Sequence, residues 1–417
     1  MATGKFAHLV MVTSFNNNKF YDMTENADGT FTVVYGRVDA SSQVKTYPIH
    51  QWDKKYNEKI KKGYKDMTEM IAVPVNESTE EKDNSKNPNE TLISKSKVVE
   101  ELVKLLQEWA HNVIKQNYKV TSNKVTQKMI DTAQDIINKL TNSYTGDNFQ
   151  LKDFNDLLLS LYTVIPRKMN NVKDYLARVG MKDDDIKAMI ENEQKLLDTM
   201  AGQVYQNDTL KEEEEKDTNT DIENQTLLEK LGLEIELEED KAVIKKIRSM
   251  MGESASKMNR VFRVNNIKTR KRFDSYKETC TDKTTELLFH GSRNQNWYNI
   301  ILTGLMIRPS GVILTGSMFG NGIYFANKAQ KSIGYTSVSG SYWAHGNSAN
   351  AMLGIFEVNV GKEKPIHEHT NQCYKFDKDN IAPYDSVHAY AGKSLRNDEI
   401  IIYEPSRCTI KYLVEVI

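Results

Sequence analysis

The sequence contains little cysteine, and its few cysteines are far apart. Among 417 residues there are three, Cys280, Cys373 and Cys408, and none forms a C-x-x-C pair. Structural zinc modules need closely spaced cysteine and histidine ligands, and secreted disulfide frameworks need a denser, even-numbered set. The cysteine pattern therefore argues against both classes and is typical of a chain in a reducing compartment.

Long apolar runs and an excess of one charge are also missing. No stretch approaches the roughly 20 apolar residues that span a bilayer, and residues 1–10 hold no apolar run long enough for a signal peptide. The 56 Lys and Arg residues nearly balance the 57 Asp and Glu residues, which leaves a net charge of −1. We therefore expect a soluble intracellular protein whose nucleic-acid-binding surface, if it has one, is a local patch.

The N-terminal part of the chain has a β-rich composition. Within residues 1–75, Phe6–Phe15 and Phe31–Val38 are rich in β-branched and aromatic residues, which predicts strands. The lysine-rich run Lys54–Lys65 predicts an amphipathic helix with one basic face. Residues 76–94 are polar, acidic and almost free of apolar residues, and this composition predicts a linker.

Residues 95–210 have the periodicity of helices. In Val98–Ile114 the apolar residues recur at spacings of three and four, and similar stripes run through Val125–Leu140 and Phe154–Val164. The region therefore predicts an all-α bundle of about four to six helices, with no chemistry of its own.

An acidic segment at 211–224 predicts a second linker, after which the chain becomes glycine-rich and β-rich. Three clusters in residues 225–417 hold candidate chemistry: LLFHGSR at Leu287–Arg293, TGSMFGNGIYFANKAQKS at Thr315–Ser332, and NDEIIIY at Asn397–Tyr403. Each signal is weak alone, because histidines before Gly-Ser, glycine-rich loops and carboxylates at strand starts are common. The glycine-rich cluster also lacks the lysine of a P-loop and matches no dinucleotide-binding fingerprint.

In this order, the three clusters resemble the His-Tyr-Glu signature of the poly(ADP-ribose) polymerase family. The resemblance covers 225–417 and extends to the strand Gly354–Gly361 and the ending Lys411-Tyr412-Leu413. It implies a mixed α+β ADP-ribosyltransferase catalytic domain with antiparallel sheets. Such a domain splits NAD⁺, its substrate, without a metal and transfers ADP-ribose to a nucleophile. We therefore predict a multidomain α+β protein.

The resemblance implies that His290, Tyr324 and Glu399 are the catalytic residues. Breaking the nicotinamide glycosidic bond builds positive charge on the ribose, as in glycoside hydrolysis. A fixed carboxylate such as that of Glu399 stabilises this charge, and it can also activate the incoming hydroxyl group. Family members with Glu at this place generally elongate chains, so we expect polymer synthesis.

The same resemblance implies a set of contacts to NAD⁺. His290 is expected to donate a hydrogen bond to the adenine-side ribose, while the backbone of Gly291 and the hydroxyl of Ser332 bind the nicotinamide carboxamide. Tyr324 and Tyr335 are expected to stack on both faces of the nicotinamide ring. The full predicted NAD-binding set is His290, Gly291, Ser292, Tyr324, Phe325, Lys331, Ser332 and Tyr335.

Two stretches leave the substrate contacts open. The family commonly has G-L-R-I-A-P where Gly304–Pro309 reads GLMIRP, so the arginine lies two places later. The contacts to adenine and phosphate therefore stay undecided. Asp385–His388, followed by Gly392-Lys393, resembles the acceptor-side loop region of the family. The identity of the acceptor also stays open.

Residues 1–75 resemble a WGR domain, with Tyr35 in the place of the eponymous tryptophan. The matching stretches are Asn18–Tyr21, Gly36–Val38 and Gly63-Tyr64. The resemblance implies that Tyr35 and Arg37 bind a DNA end or nick. The lysines of Lys54–Lys65 either add phosphate contacts or form a solvated helix face, and their composition alone favours the solvated face.

The helical region resembles the regulatory domain of the same family at Leu161–Pro166, which reads LYTVIP where the family has F-Y-T-L-I-P. This implies that the helices block NAD⁺ binding until DNA shifts a two-state balance. The expected partners are DNA ends or nicks and acceptor proteins, including the chain itself, with no membrane.

Two alternatives remain open: a mono-ADP-ribosyltransferase, and a DNA-end-binding protein with an inert catalytic fold. The expected compartment is the nucleus in a eukaryote, or the cytoplasm and nucleoid in a bacterium. The basic run Lys268–Arg272 (KTRKR) is similar to a nuclear import signal. We instead expect it to form a strand, by comparison with the family.

Overall fold

The computed structural model describes residues 4–70, 92–119, 122–145, 149–216, 225–308 and 317–417. Residues 76–91 and 217–224 of the two predicted linkers lie outside the described residues, as do Pro309, Thr315 and Gly316 of the predicted motifs. Contacts group the described parts of Met1–Asn87 and Asn112–Val204 into one compact unit, and those of Pro88–His111 and Tyr205–Ile417 into a second.

The first unit begins with a five-stranded antiparallel sheet of strand order β4-β3-β2-β1-β5. Its elements are β1 (Phe6–Thr13), β2 (Asn17–Glu25), β3 (Thr30–Arg37), β4 (Gln43–Pro48), α1 (Trp52–Lys61) and β5 (Lys65–Asp66). Leu9, Phe31 and Trp52 belong to the core that α1 and the sheet enclose. The predicted strands near Phe6 and Phe31 and the basic helix are therefore confirmed.

Four long helices follow, and α2, α3 and α4 carry the apolar stripes that their sequences predict. They are α2 (Lys97–Asn117), α3 (Gln127–Thr145), α4 (Leu151–Val164) and α5 (Asp183–Lys216). Helix α5 reaches Lys216, so residues 211–216 of the predicted acidic linker are helical. Glutamate and lysine are good helix formers, which suits this extension.

An ion pair is buried among the helices of the first unit. Arg167 Nη1 lies 2.5 Å from Glu193 Oε2, and both side chains are almost fully buried. The ring of Tyr118 lies beneath the guanidinium group, and Tyr162 also contacts it. Burial raises the pKa of Glu193, and Arg167 opposes that shift. The two charges therefore depend on each other.

The second unit contains two sheets. The larger is antiparallel, with the order β6-β7-β14-β10-β8. The smaller has the order β11-β12-β13-β9, and its β11-β12 pair is parallel. The strands are β6 (Leu233–Leu237), β7 (Met258–Asn266), β8 (Thr285–Gly291), β9 (Ile323–Phe325), β10 (Ala351–Asn359), β11 (Glu363–Ile366), β12 (Ser386–Ala389), β13 (Glu399–Ile402) and β14 (Cys408–Val416). The predicted mixed α+β fold with antiparallel sheets is confirmed for this unit.

Short helices cover these sheets. They are α6 (Leu227–Lys230), α7 (Lys241–Met251), α8 (Ile267–Thr279), α9 (Trp297–Thr303) and α10 (Ala329–Ile333). Helix α8 corrects the expectation of a strand at Lys268–Arg272. Asn266 accepts a hydrogen bond from the Thr269 backbone at the helix N-terminus, and this cap starts a helix where the family pattern suggested a strand.

None of the helices in the described part of the chain is long and apolar enough to cross a membrane.

Candidate active site

The candidate site lies where the edges of the two sheets meet. Phe289 of β8 and Ala326, just after β9, exchange backbone hydrogen bonds of 2.8 and 2.9 Å. This bridge places His290 beside Tyr324. Because β13 pairs with β9, Glu399 at the start of β13 lies at the same edge. The three predicted catalytic residues are therefore brought together by three neighbouring strands.

His290 is held in one orientation by a hydrogen bond to a backbone carbonyl group of the neighbouring strand. Its Nδ1 lies 2.9 Å from the carbonyl oxygen of Tyr324, an atom that only accepts, so Nδ1 is the donor. The rings of Trp297, Phe325 and Phe356 surround the imidazole at 5.8 to 6.4 Å between centroids. Desolvation lowers the pKa of His290, so the ring is neutral and Nε2 is available as an acceptor.

Glu399 is a buried carboxylate with one ion-pair partner among the described residues. Its Oε1 lies 2.5 Å from Lys331 Nζ, and the Glu399 side chain is only 8% exposed. Its Oε2 is buried without a hydrogen-bond partner in the described structure. Desolvation raises the pKa of Glu399, while Lys331 acts in the opposite direction. A buried acceptor without a hydrogen bond costs folding free energy, so Oε2 is suited to accept a hydrogen bond from a hydroxyl group of a ligand.

Two tyrosines flank the position of Glu399. Tyr324 Oη donates to the Gly320 carbonyl at 2.8 Å and accepts from the Phe319 N–H at 3.0 Å, so its ring is fixed. The ring of Tyr335 stacks with that of Trp343 at 6.0 Å and an interplanar angle of 19°. Burial and the charge of Glu399 raise the pKa of Tyr335 to about 12. Both phenols are therefore neutral at physiological pH.

Gly291 has no room for a side chain. A Cβ added there would lie 1.8 Å from the carbonyl oxygen of Ser332. The hydroxyl of Ser332 donates to the Phe289 carbonyl at 3.1 Å, which ties α10 to β8. Ser292 Oγ accepts from Asn296 at 2.9 Å. The predicted residues Gly291 and Ser292 therefore lie beside the predicted Ser332.

A cleft of about 850 Å³ opens beside Glu399. From the predicted set, it is lined by Lys331, Tyr335 and Glu399. The lining residues outside the predicted NAD-binding set are Met318, Gln330 and Asn397, which belong to the predicted clusters, and Gly334, Tyr342, Trp343, Ser394, Leu395 and Arg396, which the sequence did not identify. Tyr342 and Trp343 are 71% and 58% exposed. The only sequence signal for them is an aromatic pair inside a loop rich in glycine and serine.

The predicted DNA contacts lie in the first unit. Tyr35 packs near Tyr21, with ring centroids 5.6 Å apart, and the Lys45 and Lys59 ammonium groups lie 5.8 and 5.7 Å from the centre of the Tyr35 ring. The guanidinium group of Arg37 donates to the carbonyl oxygens of Asn16, Met169 and Asn170 at 2.7 to 3.1 Å. Arg37 therefore links β3 to the segment after α4 within this unit.

Within the described ranges, no three or more His, Cys, Asp or Glu side chains are grouped so that they could hold a metal ion.

Comparison with known proteins shows which family the second unit resembles. Residues 238–417 match the family model "Poly(ADP-ribose) polymerase catalytic domain". The "Putative poly [ADP-ribose] polymerase-like 100L" of Invertebrate iridescent virus 6 is 33% identical over 167 residues, which are 39% of this chain and 87% of that protein. "Uncharacterized protein 101L" of the same virus is 36% identical over 202 residues, 48% of this chain and 79% of that protein. The "Poly [ADP-ribose] polymerase 2" of Arabidopsis thaliana is 26% identical over 432 residues, 92% of this chain and 63% of that protein.

Proposed function

The chain belongs to the poly(ADP-ribose) polymerase family, and from this premise we propose that it is a protein poly-ADP-ribosyltransferase activated by DNA strand breaks. It transfers ADP-ribose from NAD⁺ to itself and to other proteins and releases nicotinamide. The observation that carries the proposal is the buried carboxylate of Glu399, with Oε1 on Lys331 and Oε2 without a hydrogen-bond partner among the described residues.

Glu399 performs the central step. The bond between the ribose C1′ and the pyridinium nitrogen breaks, and its electron pair leaves with neutral nicotinamide. The ribose becomes an oxocarbenium-like cation, which the nearby carboxylate stabilises. A hydroxyl or carboxylate of the acceptor then attacks C1′. Where the acceptor is a hydroxyl, its proton passes to Glu399 and then to water.

The remaining residues bind and orient NAD⁺. Neutral His290 offers Nε2, which accepts a hydrogen bond from a ribose hydroxyl; this reverses the direction expected from the sequence. Tyr335 and the fixed ring of Tyr324 stack on nicotinamide. Ser332 and the backbone of Gly291 bind its carboxamide. These roles follow the family resemblance, and the proximity of the side chains supports them.

DNA activation is the part of the proposal that rests on the first unit. Tyr35 offers an aromatic ring beside Lys45 and Lys59, a combination that suits a DNA end and its phosphates. Arg37 holds β3 in place through its bonds to the carbonyl oxygens of Asn16, Met169 and Asn170. It contacts DNA with the guanidinium N–H groups that these bonds do not use. The helical region that contains Leu161–Pro166 restrains the catalytic domain until DNA binds.

The test is incubation of the purified chain with labelled NAD⁺, with and without short nicked or blunt DNA, resolved on a denaturing gel. A high-mass smear that depends on DNA is the expected result. A single sharp shifted band would replace polymer synthesis with mono-transfer. Label that is independent of DNA would remove the activation claim. DNA binding without any label would favour an inert binding protein.

A further inference from the structure

A histidine outside the site described above lies between two carboxylates. His388 on β12 has Nδ1 at 3.1 and 3.2 Å from the two carboxylate oxygens of Glu363 on β11, and Nε2 at 3.2 Å from Asp398 Oδ2. Its side chain is only 14% exposed. One face of the ring stacks on Tyr390, with centroids 4.0 Å apart and planes 8° apart. The imidazole is therefore held by contacts on three sides.

Only the protonated ring satisfies this arrangement. A neutral imidazole has one N–H donor, and both of its neighbours here are carboxylates that only accept. The hydrogen bond with Glu363 is the largest cause that raises the pKa of His388; burial opposes it and Asp398 adds to it. Glu286 on β8 is a further charged group that interacts with His388 and Glu363. Each of these neighbouring charges favours the imidazolium form.

Asp398 connects His388 to the wall of the cleft. Its Oδ1 accepts from the Ala391 N–H at 2.8 Å, and its Oδ2 accepts from Asn327 at 3.1 Å. The bond to Ala391 closes residues 391–398 into a loop, and the bond to Asn327 ties that loop to the segment after β9. Four residues of the loop line the cleft beside Glu399: Ser394, Leu395, Arg396 and Asn397.

The same loop also reaches the ion pair of the site. Lys331 Nζ donates to the Asn397 carbonyl oxygen at 3.4 Å and pairs with Glu399. Asp398 is the residue directly before Glu399, and on the paired strands Ala389, next to His388, lies opposite Glu399. A shift of Asp398 therefore moves both the loop and the start of β13.

We propose that His388 is a positioning residue for ADP-ribose transfer: it clasps Asp398 and so fixes the loop 391–398 and the carboxylate of Glu399. This inference rests on the proposed function. It predicts that kcat falls as pH rises through the titration of His388, because the ring then loses one of its two donors. The fall in kcat exceeds any rise in KM for NAD⁺, because His388 itself touches none of the predicted NAD contacts.

The kinetic test uses the full chain and follows nicotinamide release against pH. His388→Gln has one amide donor group and no titration. We expect its kcat to be about tenfold below that of the wild type at acidic pH, and equal to the wild type above the His388 titration. The matched control is His367→Gln. His367 stacks on Tyr390, with centroids 4.8 Å apart, but no carboxylate contact of its ring is found among the described residues.

A structural readout separates this inference from the activity itself. The ring protons of His388 are titrated by NMR in the wild type and in Asp398→Asn. We expect an elevated midpoint that falls in the variant. Parallel pH profiles for wild type and His388→Gln, or a midpoint that does not respond to Asp398→Asn, would overturn the clasp. If the wild type releases no nicotinamide at any pH, the proposed function and the positioning role of His388 in transfer both fail. The NMR titration then still decides whether the clasp exists.

Discussion

Lys331 and Glu399 form an ion pair that leaves half of the carboxylate unused. Nζ lies 2.5 Å from Oε1, while Oε2 is buried without a partner in the described structure. Burial raises the pKa of the Glu399 carboxyl group, and the positive charge of Lys331 opposes that rise. The two residues come from different elements, α10 and β13, so the pair also joins these elements.

Replacing Lys331 tests this relationship through pH. Burial raises the pKa of Glu399 and Lys331 lowers it, so Lys331→Met raises the pKa further. Because the ionised form is active, activity rises as pH rises through this pKa, and the acid limb of the kcat profile moves to higher pH in the variant. Lys328→Met, an exposed lysine just before α10, is the control. An unmoved acid limb in Lys331→Met would contradict the assignment.

Gly291 and Ser332 differ in what they contribute. Gly291→Ala places Cβ 1.8 Å from the Ser332 carbonyl oxygen, and overpacking of this kind costs about 1–3 kcal/mol or more of unfolding free energy. We expect a lower melting temperature together with lost activity. Wild-type stability and activity in Gly291→Ala would show that the two backbones are not in close contact.

Ser332→Ala leaves the Phe289 carbonyl bonded to the Ala326 N–H at 2.9 Å, so its stability changes little. The lost hydrogen bond to nicotinamide, worth about 1 kcal/mol, raises KM for NAD⁺ by about fivefold. Steady-state kinetics and thermal unfolding separate the two effects. A large fall in melting temperature with an unchanged KM would make Ser332 a structural residue only.

Tyr335 is expected to bind the nicotinamide ring by stacking. Tyr335→Ala should raise KM for NAD⁺ by about tenfold, the size of an aromatic stacking contribution of about 1.4 kcal/mol. Tyr342→Ala is the control, because Tyr342 is 71% exposed and meets Trp343 edge-on. Equal effects of the two variants would assign the change to the loop rather than to stacking.

The buried pair in the first unit makes a prediction about stability. Glu193→Gln leaves the guanidinium group of Arg167 buried without its charge partner, and breaking such a pair costs about 3–5 kcal/mol. Arg167→Met combined with Glu193→Met removes both charges and should recover much of that loss. Urea denaturation measures both variants. A double variant as unstable as the single one would show that packing, and not the unpaired charge, causes the loss.

The sequence predicted the basic helix α1 and the long helices α2 to α4, because these follow from local patterns, and the family resemblance grouped His290, Tyr324 and Glu399 in one candidate site. Apolar spacing located α2, α3 and α4, and the order of His290, Tyr324 and Glu399 predicted a shared site. The structure then places them on three adjacent strands. Helix α8 was not predicted, because the strand at Lys268–Arg272 was expected from the family pattern; the structure shows Asn266 accepting a hydrogen bond from the Thr269 N–H at the helix start.

Other features depend on tertiary packing, which no local pattern reports. The bond from His290 to the Tyr324 carbonyl sets the tautomer of the imidazole. Arg396 and Trp343 enter the cleft from loops that lie far apart in sequence. The contact between His388 and Asp398 joins two strands across a turn. Such pairings become visible only when the sheet is assembled.

The most direct test of the account is nicotinamide release from NAD⁺ by the full chain and by Glu399→Gln, with Glu368→Gln as a control for an exposed, ion-paired glutamate. We expect that the wild type and Glu368→Gln release nicotinamide and carry ADP-ribose. We expect that Glu399→Gln, folded to the same extent, is slower by about 10²- to 10³-fold. Equal release by the wild type and Glu399→Gln would contradict the claim that this carboxylate drives the reaction.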